Sequence, residues 1–162
     1  MFFSRIIITF VTITIVLIKQ SIFMSFYDKF SPDSMTLKDF SYWTVLLRKK
    51  QITLGDAVII LKREVASIGD VLPEEMSEFP KVVAWYEEKC CTVFKPEKFN
   101  YVAAMMKDNF VHFHAFPRYS NEIAYNNNTW KDNFWPKPIN LVDVPIDDAL
   151  LTVLLSDMKD YE

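Results

Sequence analysis

The chain has 162 residues and a formal net charge of −3, with 51% hydrophobic, 15% aromatic and 24% charged residues. That suffices for one domain with a true core, leaves no room for a second catalytic domain and excludes wholesale disorder. Only two glycines are present, Gly55 and Gly69, so neither a phosphate-cradling glycine loop nor a dinucleotide fingerprint can form, and the acidic balance offers no footprint for nucleic acid.

Residues 1–23 stand apart. From Ile6 to Ile18 the text is apolar except for threonines, bracketed by Arg5 and by Lys19 and Gln20; a helix needs about 20 such residues to cross the hydrocarbon core. Three readings are open: an extension upstream of an initiator at Met24, favoured by the polar text from Ser25 onward; a membrane anchor; and a signal peptide, whose small-residue cleavage pattern is lacking. The expected organisation is this hydrophobic segment, a domain over 24–145 and a helical tail over 146–162. The expected location is cytoplasmic, or membrane-anchored if residues 1–23 are retained.

Tyr42 to Leu47 and Asp56 to Lys62 carry strand-forming residues on either side of a solvated turn, Arg48-Lys49-Lys50-Gln51, and read as an antiparallel pair. Pro73-Glu74-Glu75 opens a helix whose apolar positions Met76, Phe79, Val83, Tyr86 and Cys90 keep helical spacing to about Val93, with Pro80 a candidate kink. Asn100 to Met106 and Val111 to Phe116 read as two further strands, the second ended by Pro117. Tyr119 to Asn133 reads as a loop, and Pro136 and Pro138 exclude the following stretch from a sheet. Ile146 to Met158 is the final helix. Strands and one substantial helix with an antiparallel bias make an α+β fold. Cys90 and Cys91 are adjacent on the helix, a poor geometry for a disulfide, so free thiols and a reducing compartment are expected.

The two histidines of the chain, His112 and His114, fall at i and i+2. On a strand they share a face with Phe110 and Phe116, about 7 Å apart along the chain, while Val111, Phe113 and Ala115 take the other face. Burying two imidazoles requires a partner for each, so the economical arrangement puts the histidines at an opening and the other face in the core. Three uses compete: a solvated polar pair, a metal site, or nucleophilic and acid/base work on a phosphoryl group. Zinc wants three or four ligands and the remaining donors are two vicinal cysteines, so neither a metal nor a cofactor is expected.

The run Asn100-Tyr101 followed by Val111 to Tyr119 (VHFHAFPRY) resembles the signature of the histidine triad family of nucleotide hydrolases and transferases, and the segments Tyr42 to Glu64 and Leu72 to Phe79 resemble the family's hairpin and helix opening in the right order. The resemblance covers about residues 25–142. It implies an antiparallel sheet of about five strands with one main and one C-terminal helix, and a homodimer. It also implies His112 as covalent nucleophile and His114 as phosphate contact. The family's first histidine is replaced by Phe110, a further histidine by Glu64, and the ribose-binding acid or amide falls near Leu47.

The resemblance further implies attack by His112 on the α-phosphorus of a dinucleoside polyphosphate or related conjugate. Water or another acceptor then releases the nucleotidyl-imidazole. With Phe110 in place of a proton carrier, the expectation is that the leaving group is protonated by water or Asn109, or that the substrate carries a good leaving group. Arg118 is a candidate phosphate clamp or a paired surface residue, Asn100 a ribose contact or a strand cap, and Trp130 and Trp135 base-stacking groups or seals of a core edge. The alternative to an enzyme is a catalytically impaired module of the same fold that binds nucleotides or other proteins.

Overall fold

The computed structural model describes residues 2–142 and 144–159, with side chains from residue 12 onward. Met1 and the last three residues of the C-terminal tail lie outside the described residues. Helix α1 (Phe2–Asp28) leads into a one-turn helix α2 (Pro32–Met35). Five strands follow in one antiparallel sheet: β1 (Thr36–Asp39), β2 (Trp43–Leu47), β3 (Ala57–Leu61), β4 (Lys98–Val102) and β5 (His112–Arg118), in the order β1-β2-β3-β5-β4. Helix α3 (Pro73–Val93) connects β3 to β4, a small hairpin of β6 (Ile123–Tyr125) and β7 (Asn128–Trp130) follows β5, and α4 (Asp148–Met158) closes the described chain.

The expected β2–β3 pair is present in full register from Trp43↔Leu61 to Leu47↔Ala57. Both strands are buried along their whole length, because neither face of the sheet centre is left to water. Helix α3 begins at Pro73, where the missing amide donor is harmless, and the Glu75 carboxylate accepts from the Leu72 amide at 2.8 Å. The helix runs through Pro80 rather than ending there. Its inward stripe is Glu75, Val82, Tyr86 and Cys90; Val83 of the expected stripe is only partly buried. Tyr86 fastens α3 to the sheet by donating its hydroxyl to the Gly55 and Ala115 carbonyls at 3.0 and 3.1 Å. Gly55 stands at φ +94°, and a Cβ there would come within 2.8 Å of the Phe94 ring, so both backbone and space require glycine.

Three sequence expectations are corrected. Pro117 does not end its strand: it lies within β5, opposite Phe99 of β4 and beyond the last β3 partner at Ala57↔Ala115, where one flank of the strand needs no ladder bond. Residues 103–106 are not strand, since β4 stops at Val102. The Asn-rich loop contains the β6–β7 hairpin, turned by Asn126 and Asn127, which both adopt the positive φ that a tight two-residue hairpin turn needs.

Cys90 is buried and Cys91 exposed, both as free thiols. Asp147 caps α4 by accepting from the Leu150 amide at 2.8 Å, and Leu150, Leu151, Leu154 and Met158 face inward. Along α1 residues 12–22 are exposed, whereas Phe23 and Phe26 are buried. Phe23 therefore packs with the domain although it precedes the expected boundary at residue 24. Among the described residues no helix is long and apolar enough to cross a membrane.

Candidate active site

Alternation along β5 sorts its side chains as the pleat demands. Phe113 turns toward α3, with its ring 4.7 Å from Phe79 and 6.1 Å from Trp43. His112, His114 and Phe116 occupy the opposite face: the two imidazole centroids are 4.9 Å apart at 84°, and Phe116 lies 6.2 Å beyond His114. The imidazoles lean together, closer than the backbone spacing alone implies.

The expected opening is only half present. His112 has no exposed surface, because Phe26 lies over its ring at 5.3 Å and Phe30 at 6.3 Å. Phe110 supports this cover, meeting Phe23 edge-on at 5.0 Å and Phe26 at 5.3 Å. Thus Phe110, which the sequence resemblance aligns with the family's first histidine, serves here as the floor of an aromatic cap. The cap was missed because its residues, Phe23, Phe26 and Phe30, straddle the boundary drawn at residue 24. Their spacing, i, i+3, i+7, is nonetheless a helical stripe and was the available signal.

The tautomer of His112 follows from its partner. A carbonyl oxygen only accepts, so the 2.7 Å contact with the Phe110 carbonyl means that Nδ1 carries the proton. The lone pair then sits on Nε2, which is buried without a hydrogen-bond partner. Burial lowers the His112 pKa, opposed by the Phe110 carbonyl and by Asp108. His114 is brought down to about 4 by burial, by Arg48 and by His112, with its Nδ1 also buried and unpartnered. Both rings are therefore neutral near pH 7, the state in which imidazole is a nucleophile.

His114, unlike His112, reaches a cavity. About 420 Å³ of space is lined by Lys29, Phe30, Leu47, Arg48, Lys49, Lys50, Asp108 and His114. Arg48 lies 3.5 Å from Asp56 and 5.9 Å over the Phe116 ring, which fixes its guanidinium at the back of the His114 face. The solvated turn expected at Arg48-Lys49-Lys50 is thus one wall of this cavity. On the other side of the cap a second cavity of about 370 Å³ is lined by Ser21, Ser25, Phe26, Lys29, Asn109 and Phe110 among others. Lys29 pairs with Asp108 between the two.

Energetically the cap is lightly held. Burying two Phe rings contributes about 1.5–3 kcal/mol each, and the Lys29–Asp108 pair, half exposed on the lysine side, adds at most about 1 kcal/mol. Against this, the unpartnered Nε2 costs about 1–3 kcal/mol.

The other candidate residues stand elsewhere. Arg118 is buried: its Nε donates to Asp132 at 2.6 Å, and it also bonds the Asn100 carbonyl oxygen and the Lys137 backbone carbonyl. Asn100 and Arg118 line neither cavity, and their polar atoms are occupied in tying β4 and β5 to the segment after β7. Asp132 was missed because nothing in the local text marks an acid in an Asn-rich stretch as buried. Asn109 is exposed, at the second cavity, and Glu64 is exposed just beyond β3. Trp130 packs against the core, and Trp135 lies 6.0 Å from the Arg118 guanidinium, so both stand on the core-edge side. Among the described residues no three His, Cys, Asp or Glu side chains are grouped to hold a metal.

No family model and no curated protein matches the chain. The fold does match solved structures. A histidine triad protein from Bradyrhizobium japonicum superposes with a TM-score of 0.62 at 16% identity, covering 80% of this chain and 91% of the other. One from Marinobacter aquaeolei gives 0.64 at 16%, covering 81% and 90%. A hypothetical histidine triad nucleotide-binding protein from Sulfolobus tokodaii gives 0.62 at 14%, covering 83% and 88%. Likeness at such identities is a statement about architecture, and on it the chain has the fold of the histidine triad proteins.

Proposed function

We propose that this protein binds the phosphate-bearing part of a nucleotide in the cavity beside His114. The observation that carries the reading is the cavity itself: it sets a neutral imidazole among Lys29, Arg48, Lys49 and Lys50, groups suited to phosphate oxygens. The expected nucleophile, His112, is shut away in this conformation, which puts binding ahead of turnover in the order of support. Titration calorimetry with adenosine, AMP, ATP and a diadenosine polyphosphate tests it. Affinity should rise with phosphate count and fall in His114→Ala; equal affinity for adenosine and ATP rejects the reading.

A second reading, hydrolysis or nucleotidyl transfer on dinucleoside polyphosphates or related conjugates, is favoured by one feature of His112. Its Nδ1–H is held by the Phe110 carbonyl, so the unshared Nε2 pair is already directed as a nucleophile's must be. In that chemistry Nε2 forms a bond to phosphorus as the bond to the leaving oxygen breaks, water supplies the leaving group's proton, and a second water cleaves the phosphorus–nitrogen bond, returning the lone pair to Nε2. Incubation with adenylylated compounds followed by mass spectrometry should find the adduct on His112; turnover unchanged in His112→Ala rejects the catalytic reading. The homodimer implied by the sequence resemblance belongs to the same proposal and is tested by sedimentation.

A further inference from the structure

The aromatic cover over His112 satisfies apolar rings and leaves a polar atom unsatisfied. Phe23, Phe26 and Phe30 find one another, Phe110 and the His112 ring, but Nε2 of His112 stays buried without a hydrogen bond. A cover built only for stability would place an apolar side chain at position 112, or give Nε2 a partner as the Phe110 carbonyl gives Nδ1 one. Instead the covered group is an imidazole whose tautomer leaves the Nε2 lone pair buried and unpaired.

The cover is also constructed so that it can leave. In α1 residues 12–22 are exposed, so among its described side chains the helix packs on the domain through Phe23 and Phe26 in its last two turns. Its outer tie is the Lys29–Asp108 pair, on the surface between the two cavities. Beyond α1 the chain turns through Lys29, Phe30 and Ser31 on short local backbone bonds, with Ser31 in the left-handed region at φ 51°. It is anchored again at α2, where Met35 is buried. A swing about Ser31, which follows Lys29 and both rings and stands at φ 51°, would carry Phe26 and Phe30 away from His112 and requires no change within the strands.

We propose that the end of α1, with Phe30 just after it, is a lid on His112, latched by Lys29 and Asp108 and hinged at Ser31, so that access to the Nε2 lone pair is controlled by displacement of Phe26 and Phe30. This rests on reading His112 as the group that must be reached, and it adds that the closed form withholds it. Water or a phosphate oxygen-bearing ligand admitted by opening meets the imidazole that the closed form strands.

The test measures access, not turnover. The full chain is treated with diethylpyrocarbonate at pH 7, and carbethoxylation of His112 and His114 is resolved by fragment ions of their shared peptide. His114, at its cavity, should react about tenfold or more faster than His112, as expected when reaction waits on local opening. In Phe26→Ala the His112 rate should rise about tenfold while His114, whose cavity Phe26 does not line, changes little. Should that variant fail to fold, Lys29→Cys/Asp108→Cys in a Cys91→Ser background gives the same answer: His112 should be protected in the oxidised form and released on reduction. A His112 that reacts as fast as His114 in the unaltered chain, or equally in oxidised and reduced forms of the cross-linked variant, overturns the lid. A protein inert toward nucleotides that still shows gated labelling loses the catalytic reading and keeps the lid, whereas an active protein with freely labelled His112 does the reverse.

Discussion

Phe26 sets its ring 5.3 Å from that of His112, inclined at 52°, and so joins the N-terminal helix to the histidine-bearing face of β5. The pairing explains why an imidazole with no exposed surface is tolerated: one nitrogen is bonded to the Phe110 carbonyl and the ring faces are covered by aromatics. It also means that the segment before residue 30 is part of the site's environment.

Replacing Phe26 by alanine should lower stability by about 1–3 kcal/mol, below the 3–5 typical of a central core phenylalanine. Part of the lost burial is returned when water reaches the stranded Nε2 of His112. Urea denaturation of the variant against the unaltered chain measures this; a loss above about 4 kcal/mol would place Phe26 among the main supports of the core rather than in a light cover.

Acid should destabilise the fold through the histidine pair. The native His114 pKa is about 4 against about 6.5 in the unfolded chain, and that of His112 is shifted the same way. Between these values the unfolded state binds more protons. Stability is therefore complete above pH 6.5 and declines toward pH 4, by up to about 1.4 kcal/mol per pH unit for His114, with His112 contributing in the same direction. The urea midpoint followed from pH 7 to 4.5 should fall less steeply in His114→Gln; identical slopes would refute the assignment.

Asp132 is the partner of a buried guanidinium, with Arg118 Nε at 2.6 Å and both side chains almost wholly enclosed. Asp132→Ala strands that charge and should cost about 3–5 kcal/mol, far more than removal of a surface pair. Thermal unfolding would show the difference, and nucleotide affinity in whatever remains folded should be unchanged, because the pair lines neither cavity.

Lys49 lines the His114 cavity and is exposed. Lys49→Glu reverses a charge at its rim and should weaken ATP binding about tenfold at low salt, less at high salt where exposed charges are screened. Calorimetry at two ionic strengths checks this. An unaffected affinity at low salt would remove the lysine wall from the binding surface.

Gly55 should resist substitution. Alanine at φ +94°, with its Cβ within 2.8 Å of Phe94, combines backbone strain with a clash and should cost about 2–4 kcal/mol. The Tyr86 bond to the Gly55 carbonyl carries the disturbance to α3, which near-ultraviolet dichroism would register.

Much of the scaffold is written in local text. The apolar runs at 43–47 and 57–61, the proline and acids at 73–75 and the inward stripe ending at Cys90 determine β2, β3 and α3, because burial period and capping act over a few residues. The alternation that puts His112 and His114 on one face is likewise a property of the strand alone. What covers that face is not. The approach of Phe26 to His112 spans 86 positions of sequence, and the guanidinium of Arg118 is claimed by Asp132 across a hairpin turned by two asparagines with positive φ. Whether an imidazole is open or sealed, and whether an arginine is available or buried, depends on which distant surfaces meet. Only the folded chain brings those surfaces together, since burial and electrostatic pairing are set by three-dimensional neighbours rather than by position along the chain.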